Sequence, residues 1–147
     1  MNSSHNSPEK RLKEMLEKLK ESDCRITPQR YAVLNVLANS FEHPSAESIH
    51  LELIENYPTM SLATVYKTIN LLKRAGEILE LEFSDLSNRY DGKKPYPHPH
   101  VICSQCGKIV DPSHLNLEEI TNKMMEETGF KILTHRLDFY GLCSDCQ

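Results

Sequence analysis

Through residue 76, apolar side chains return every three or four positions, and the pattern breaks where residues that start and stop helices occur. Leu12, Met15, Leu16 and Leu19 recur at helical spacing between alternating Lys and Glu, which predicts an amphipathic helix over 8–22. Thr27-Pro28 supplies an N-cap and an N1 proline for a second helix reaching about Asn39, with Tyr31, Leu34 and Leu37 inward. His43-Pro44 forces a turn. Ser45 caps a third helix carrying Ile49 and Leu53, and Pro58 is expected to end it. Ser61 caps a fourth, LATVYKTINLLKRAG, which stops at Gly76 in the C′ position.

Beyond Gly76 the period changes from that of a helix to that of a strand. Residues 78–83, ILELEF, alternate apolar and polar; a turn at 84–88 then leads into Arg89-Tyr90-Asp91. This predicts a hairpin of the size of a wing, so residues 1–91 read as a winged helix with 61–75 as its recognition helix. Residues 92–97, GKKPYP, read as a stiff polar hinge. Residues 98–147 then predict strands at His100–Cys103 and Lys108–Asp111, a helix at Leu117–Glu127 and a final strand at Lys131–Tyr140. The expected class is α+β. A second domain of about fifty residues rests poorly on a core alone; a metal staple and an exposed strand edge paired with a second copy would each relieve that.

The chain has 147 residues, 39% of them apolar, yet holds no apolar run long enough to span a bilayer. Its first residues, MNSSHNSPEKRLKEML, lack the apolar centre of a signal peptide, so a cytoplasmic location is expected, with the Met1–Ser7 tail disordered. In that reducing compartment paired cysteines favour zinc over disulfides, and Cys24 reads as a half-buried structural residue. The net charge of −4 argues against a generally basic nucleic-acid binder. Residues 60–75, however, contain Lys67, Lys73 and Arg74 and no acid, so positive charge is local.

The chemistry concentrates in Pro97–Asp111, PHPHVICSQCGKIVD. Cys103 and Cys106, with Cys143 and Cys146 near the C-terminus, offer four thiolates, the set of a tetrahedral structural zinc with no open position. His98 and His100 alternate along a strand, so both project from one face. Asp111 falls on the neighbouring strand, Asp91 ends the wing and His43 lies between the second and third helices. Three imidazoles and two carboxylates suit Fe(II), Mn(II) or Zn(II). Taken singly, each has a plainer reading as a turn, loop or strand-end residue.

On the fourth helix Leu62, Val65, Ile69 and Leu72 form the inward stripe, leaving Thr64, Tyr66, Lys67 and Lys73 outside it. Such a helix fits a major-groove reader, with Lys67 on guanine or phosphate and Thr64 or Tyr66 on a thymine methyl. Arg25, Arg30 and Arg89 are placed to hold phosphates. The pattern alone equally admits a solvated charged face on a helix bundle.

Six motifs together give the chain a family resemblance: RITPQR (25–30), HPSAESIH (43–50), SLATVYKTINLL (61–72), NRYD (88–91), HPHVICSQCGKIVD (98–111) and HRLDFYGLCSDC (135–146). The ordered set resembles the ferric uptake regulator (Fur) family, most closely its peroxide-sensing PerR branch. The resemblance implies a homodimeric, metal-dependent transcriptional repressor rather than an enzyme, acting on a palindromic AT-rich operator. It implies structural zinc on Cys103, Cys106, Cys143 and Cys146, and regulatory Fe(II) or Mn(II) on His43, Asp91, His98, His100 and Asp111. It makes Tyr66 and Lys67 DNA readers, and His43 and His98 the residues that iron and peroxide oxidise. Asp111 is a glutamate in many iron-uptake regulators, and zinc-responsive relatives often carry a cysteine near Asp91. A further family site is incomplete here, because Pro97 and Pro99 stand at two of its ligand positions; that leaves His135 as a structural residue. An iron- or manganese-uptake regulator is the competing reading within the family. A metalloenzyme and a zinc-stapled adaptor are the competing readings outside it.

Overall fold

The computed structural model describes residues 7–83 and 86–147. The tail residues 1–6 and the turn residues 84–85, for which disorder and a tight turn are expected, lie outside the described residues. The chain folds as two compact units, Met1–Tyr96 and Pro97–Gln147.

The first unit contains α1 (Pro8–Glu21), α2 (Pro28–Asn39), α3 (Ala46–Leu53) and α4 (Leu62–Arg74), followed by the antiparallel pair β1 (Leu79–Leu81) and β2 (Arg89–Asp91). Each helix starts where a hydroxyl can accept an otherwise unpaired backbone N–H: Ser7 from Lys10, Thr27 from Arg30, Ser45 from Ser48 and Ser61 from Thr64. Ser7, for which disorder is expected, is thus the cap of α1. Gly76 takes the left-handed conformation that ends α4, at φ 71°. The third helix ends at Leu53, five residues before the proline expected to stop it. The Leu53 carbonyl accepts both Asn56 N–H and Tyr57 N–H, which tightens the chain into turns before Pro58 is reached.

Met15, Leu19, Leu34, Leu37, Ile49, Val65, Ile69 and Leu72 form the fully enclosed centre of this unit. Tyr31, expected inward, is 44% exposed. It lies in the first turn of α2, and the enclosed part of that helix begins only at Ala32. The polar reading of the hinge also changes at its first residues. Gly92 packs on the α2 backbone, so close that a Cβ there would lie 2.6 Å from the Leu37 carbonyl oxygen. Buried Arg11 donates from Nε to the Gly92 carbonyl (2.8 Å) and from Nη2 to the Glu77 carbonyl and carboxylate. Lys93 is buried with its ammonium 3.0 Å from the Phe41 ring centroid.

The second unit contains β3 (His100–Cys103), β4 (Ile109–Val110), α5 (Leu117–Thr128) and β5 (Asp138–Gly141). The sheet order is β4-β3-β5, antiparallel on one side and parallel on the other. The final strand begins at Asp138, not at Lys131. Its partner starts only at His100, opposite Asp138, and the residue before that is Pro99, which has no N–H to give a ladder. Among the described residues, Ile102, Cys103 and Ile109 are this unit's only buried apolar side chains, while Phe130, Leu133, Tyr140 and Leu142 are exposed. No described helix is long and apolar enough to cross a membrane.

Candidate metal centre and nucleic-acid interface

The β3–β4 turn presents Cys103 and Cys106, and the segment after β5 brings back Cys143 and Cys146. Their four sulfurs lie within 4.8 Å of one another. Cys106 and Cys143 Sγ are 3.7 Å apart, far beyond a disulfide bond but close to the ~3.8 Å edge of a tetrahedron with Zn–S bonds of about 2.3 Å. Backbone N–H groups of Cys106 and Cys143 draw the Cys103 thiol down to about 6. The hydrogen bond with Cys143, followed by burial, pushes Cys146 up to about 12. The donor set and spacing fit zinc.

In the second unit the segment leading into β3 puts His98 beside His100, the first residue of the strand, with ring centroids 4.4 Å apart. Asp111, just past β4, faces both: Oδ2 is 3.1 Å from His98 Nε2 and Oδ1 is 3.6 Å from His100 Nε2. Neighbouring donors on an ion with bonds of about 2.1 Å stand about 3 Å apart, so this edge fits a borderline divalent metal. On the other side of His100, Asp138 Oδ1 is 3.5 Å from Nδ1, and its second oxygen accepts from Arg136 Nε at 2.7 Å.

In the first unit His43 Nε2 and Asp91 Oδ2 make a similar edge of 3.1 Å, both side chains buried. The other Asp91 oxygen accepts from the N–H groups of Lys93 and Lys94, which fixes the carboxylate. His43 has φ 52°, a costly conformation for a bulky residue, and more so before proline. What holds it there is Arg89, whose guanidinium donates to the carbonyls of both Glu42 and His43. The neighbouring Tyr90 N–H donates to the Pro44 carbonyl. Motif reading assigns Arg89 to phosphate; in the fold its donors support the loop that carries His43.

On α4, Ala63, Tyr66, Lys67 and Asn70 are exposed and spaced i, i+3, i+4, i+7, which makes one continuous outward stripe. Val65, Thr68, Ile69 and Leu72 are the buried face, so Thr68 joins the expected stripe and Leu62 is only half-buried. The Thr64 hydroxyl bonds Ser61 Oγ (3.0 Å) and stays with the cap. Lys73 is paired with Glu80 on β1 at 2.8 Å. Arg30 donates from Nη1 to the Arg25 carbonyl. His135 is exposed. Asn70 escapes the sequence reading, because an asparagine in a helix carries no chemical signature until its neighbours on the stripe are known.

The sequence profile of the ferric uptake regulator family matches residues 21–140. The chain is 45% identical over 135 residues to the peroxide operon regulator of Bacillus subtilis, covering 92% of each. It is 40% identical over 141 residues to the peroxide-responsive repressor PerR of Staphylococcus aureus, covering 96% of this chain and 95% of that one. Its fold matches the Helicobacter pylori ferric uptake regulator, described as having three functional metal binding sites, with a TM-score of 0.80 at 28% identity over 95% of this chain and 93% of that chain. Four thiols, a His/Asp cluster, a helical unit ending in a two-stranded wing and these similarities agree: the chain belongs to the ferric uptake regulator family, a family of transcriptional regulators rather than enzymes.

Proposed function

We propose that this protein is a metal-dependent repressor that binds DNA as a homodimer and senses peroxide through iron-catalysed oxidation of a ligand histidine. The observation that carries the reading is the pair of donor edges, His43/Asp91 and His98/His100/Asp111, each spaced for one divalent ion. In this reading the five residues close on a single Fe(II) or Mn(II). His43 and Asp91 stand before Tyr96 and the other three after Pro97, so closure sets the angle between the units. Binding then favours the DNA-competent arrangement by as much as the ion prefers it.

Winged-helix units 1–91 reach DNA through α4, the 92–97 segment acts as the hinge, and 98–147 forms the dimer. The scarcity of buried apolar side chains in the second unit and the exposed Phe139, Tyr140 and Leu142 on and beside edge strand β5 support pairing with a second copy. Two recognition helices then meet major grooves about 34 Å or a multiple apart on a palindromic AT-rich operator. Zinc on the four cysteines holds the β3–β5 end of the unit together.

Fe(II), if held by these residues, would catalyse cleavage of the peroxide O–O bond: one oxygen would go to an adjacent imidazole carbon, the imidazole being the net two-electron reductant and its displaced hydrogen moving to the ring nitrogen, and the other oxygen would leave as water. His43 and His98 are the expected targets: each points Nε2 at a carboxylate oxygen 3.1 Å away. Oxidation removes a donor and releases the closed form, and Mn(II) supports DNA binding without it. Peptide mass spectrometry after a brief peroxide pulse tests the reading. One added oxygen on the His43 or His98 peptide with Fe(II), and none with Mn(II), is expected. Intact metal-dependent DNA binding without histidine oxidation would move the assignment to a metal-uptake regulator.

A further inference from the structure

The exposed stripe of α4 contains one aromatic side chain, Tyr66, and its hydroxyl is already engaged. Tyr66 Oη donates to Glu47 Oε1 at 2.7 Å, from α4 across to the first turn of α3. The ring remains 37% exposed beside Lys67 and Asn70. A phenol has one hydrogen to give and two lone pairs with which to accept. With that hydrogen on a carboxylate, the outer side of Tyr66 offers only an acceptor and the ring edge. The hydrogen bond with Glu47 holds the Tyr66 pKa above its ordinary value, and the same bond lowers that of Glu47, so neutral phenol and charged carboxylate persist together near neutral pH.

We infer that Glu47 is a specificity-determining residue that acts through Tyr66. By taking the only hydroxyl hydrogen it makes Tyr66 a reader of thymine methyl groups and of amino groups on adenine or cytosine, and turns it against the O6/N7 edge of guanine. That edge presents acceptors alone, which an acceptor cannot satisfy. Without Glu47 the hydroxyl rotates freely and can donate to guanine as readily as it accepts from adenine. Glu47 is a positioning residue here, since its carboxylate is on α3 and reaches the base only through the phenol. The inference rests on the reading of α4 as the DNA-contacting helix.

The test is selection of binding sites from a randomised duplex pool by full-length Mn(II)-loaded protein, comparing wild type with Glu47→Ala, Glu47→Gln, Tyr66→Phe and the Glu47→Ala/Tyr66→Phe double variant. Glu47→Ala should still select a metal-dependent site but lose about tenfold of its discrimination against guanine at one step of each half-site. Glu47→Gln keeps a carbonyl to accept the hydroxyl and should restore most of the wild-type preference. In the Tyr66→Phe background Glu47→Ala should change nothing further. Unchanged preferences in Glu47→Ala, a uniform loss of affinity at every position, or broadening that persists in the Tyr66→Phe background would each overturn the inference while leaving DNA binding in place. A wild-type protein that selects no sequence would overturn the DNA-binding reading and this inference with it.

Discussion

Gly92 is where a single added methyl group meets the least room. A Cβ there sits 2.6 Å from the Leu37 carbonyl oxygen, against about 3.4 Å for ordinary contact, so Gly92→Ala must open the gap by about 0.8 Å (3.4 − 2.6). Leu37 lies within α2 with its side chain fully buried, so the linker residues must give instead. Their movement takes the Gly92 carbonyl away from Arg11 Nε, now 2.8 Å distant. Overpacking costs about 1–3 kcal/mol, and a lost bond to a buried guanidinium about 1.5–3 kcal/mol. The stiffer unfolded chain offsets about 0.4–1 kcal/mol. The net loss is roughly 1.5–5.6 kcal/mol, and even its lower end lowers the melting midpoint by about 6–12 °C for a unit of this size. Four of the five described helices lie in the first unit, so thermal denaturation followed by far-UV circular dichroism reports on it. Gly76→Ala is the control: its φ is +71° but nothing lies within 4 Å, so only the left-handed penalty of about 1–2 kcal/mol applies. On an Arg11→Met background Gly92→Ala should cost less, because the shared bond is already gone. A Gly92→Ala midpoint within about 2 °C of wild type, or no lower than that of Gly76→Ala, refutes the close-packing argument.

Cys143→Ser should lower bound zinc from one per chain to near zero and open residues 97–147 to limited proteolysis, since little apolar core remains there; elemental analysis showing full zinc would contradict the four-cysteine site. Arg89→Ala should weaken Mn(II) binding about tenfold by freeing the Glu42 and His43 carbonyls, and Arg89→Lys should not restore it because one ammonium lacks the fork. Unchanged Mn(II) affinity in a titration would show that the His43 loop stands without this support. For Glu80, burial opposes the charged form, but the hydrogen bond and charge of Lys73, with hydrogen bonds from Tyr90 and Asn88, outweigh it and hold the pKa below its ordinary value. The stability this contributes is present above the unfolded carboxyl pKa and disappears as pH falls through the lower folded value. Glu80→Gln should therefore cost on the order of 0.5–1 kcal/mol at pH 7 in urea titrations, with the gap from wild type closing in acid; a gap that widens in acid would reverse the sign.

What could be read from the chain without its fold follows from how far each interaction reaches. Ser45 caps the N–H of Ser48 and Ser61 that of Thr64, three residues away, so helix starts are written locally. The candidate metal ligands are legible for another reason: few side chains bind such ions, and CxxC or HxH brings two donors to one place whatever the rest of the chain does. Arg11 is different, because apart from Glu14 its partners are 66 and 81 residues away. Arg89 reaches back 46 residues to His43, and Tyr66 reaches 19 to Glu47. An arginine, a glutamate or a glycine carries no signature of such a task, so Arg89 resembles any surface cation and Gly92 any linker residue. The start of β5 is hidden in the same way, because Asp138 is set opposite His100 by pairing and not by its own sequence. These distant contacts are not scattered. Arg89 grips the loop of His43, Arg11 grips the carbonyl next to Asp91, and Asp138 stands behind His100. Motifs name the donors that would meet a metal, while long-range polar contacts decide the backbone and ring positions from which those donors point. A substitution that spares every proposed ligand but removes one of these supports would therefore act on the metal site as surely as loss of a ligand, and by smaller steps.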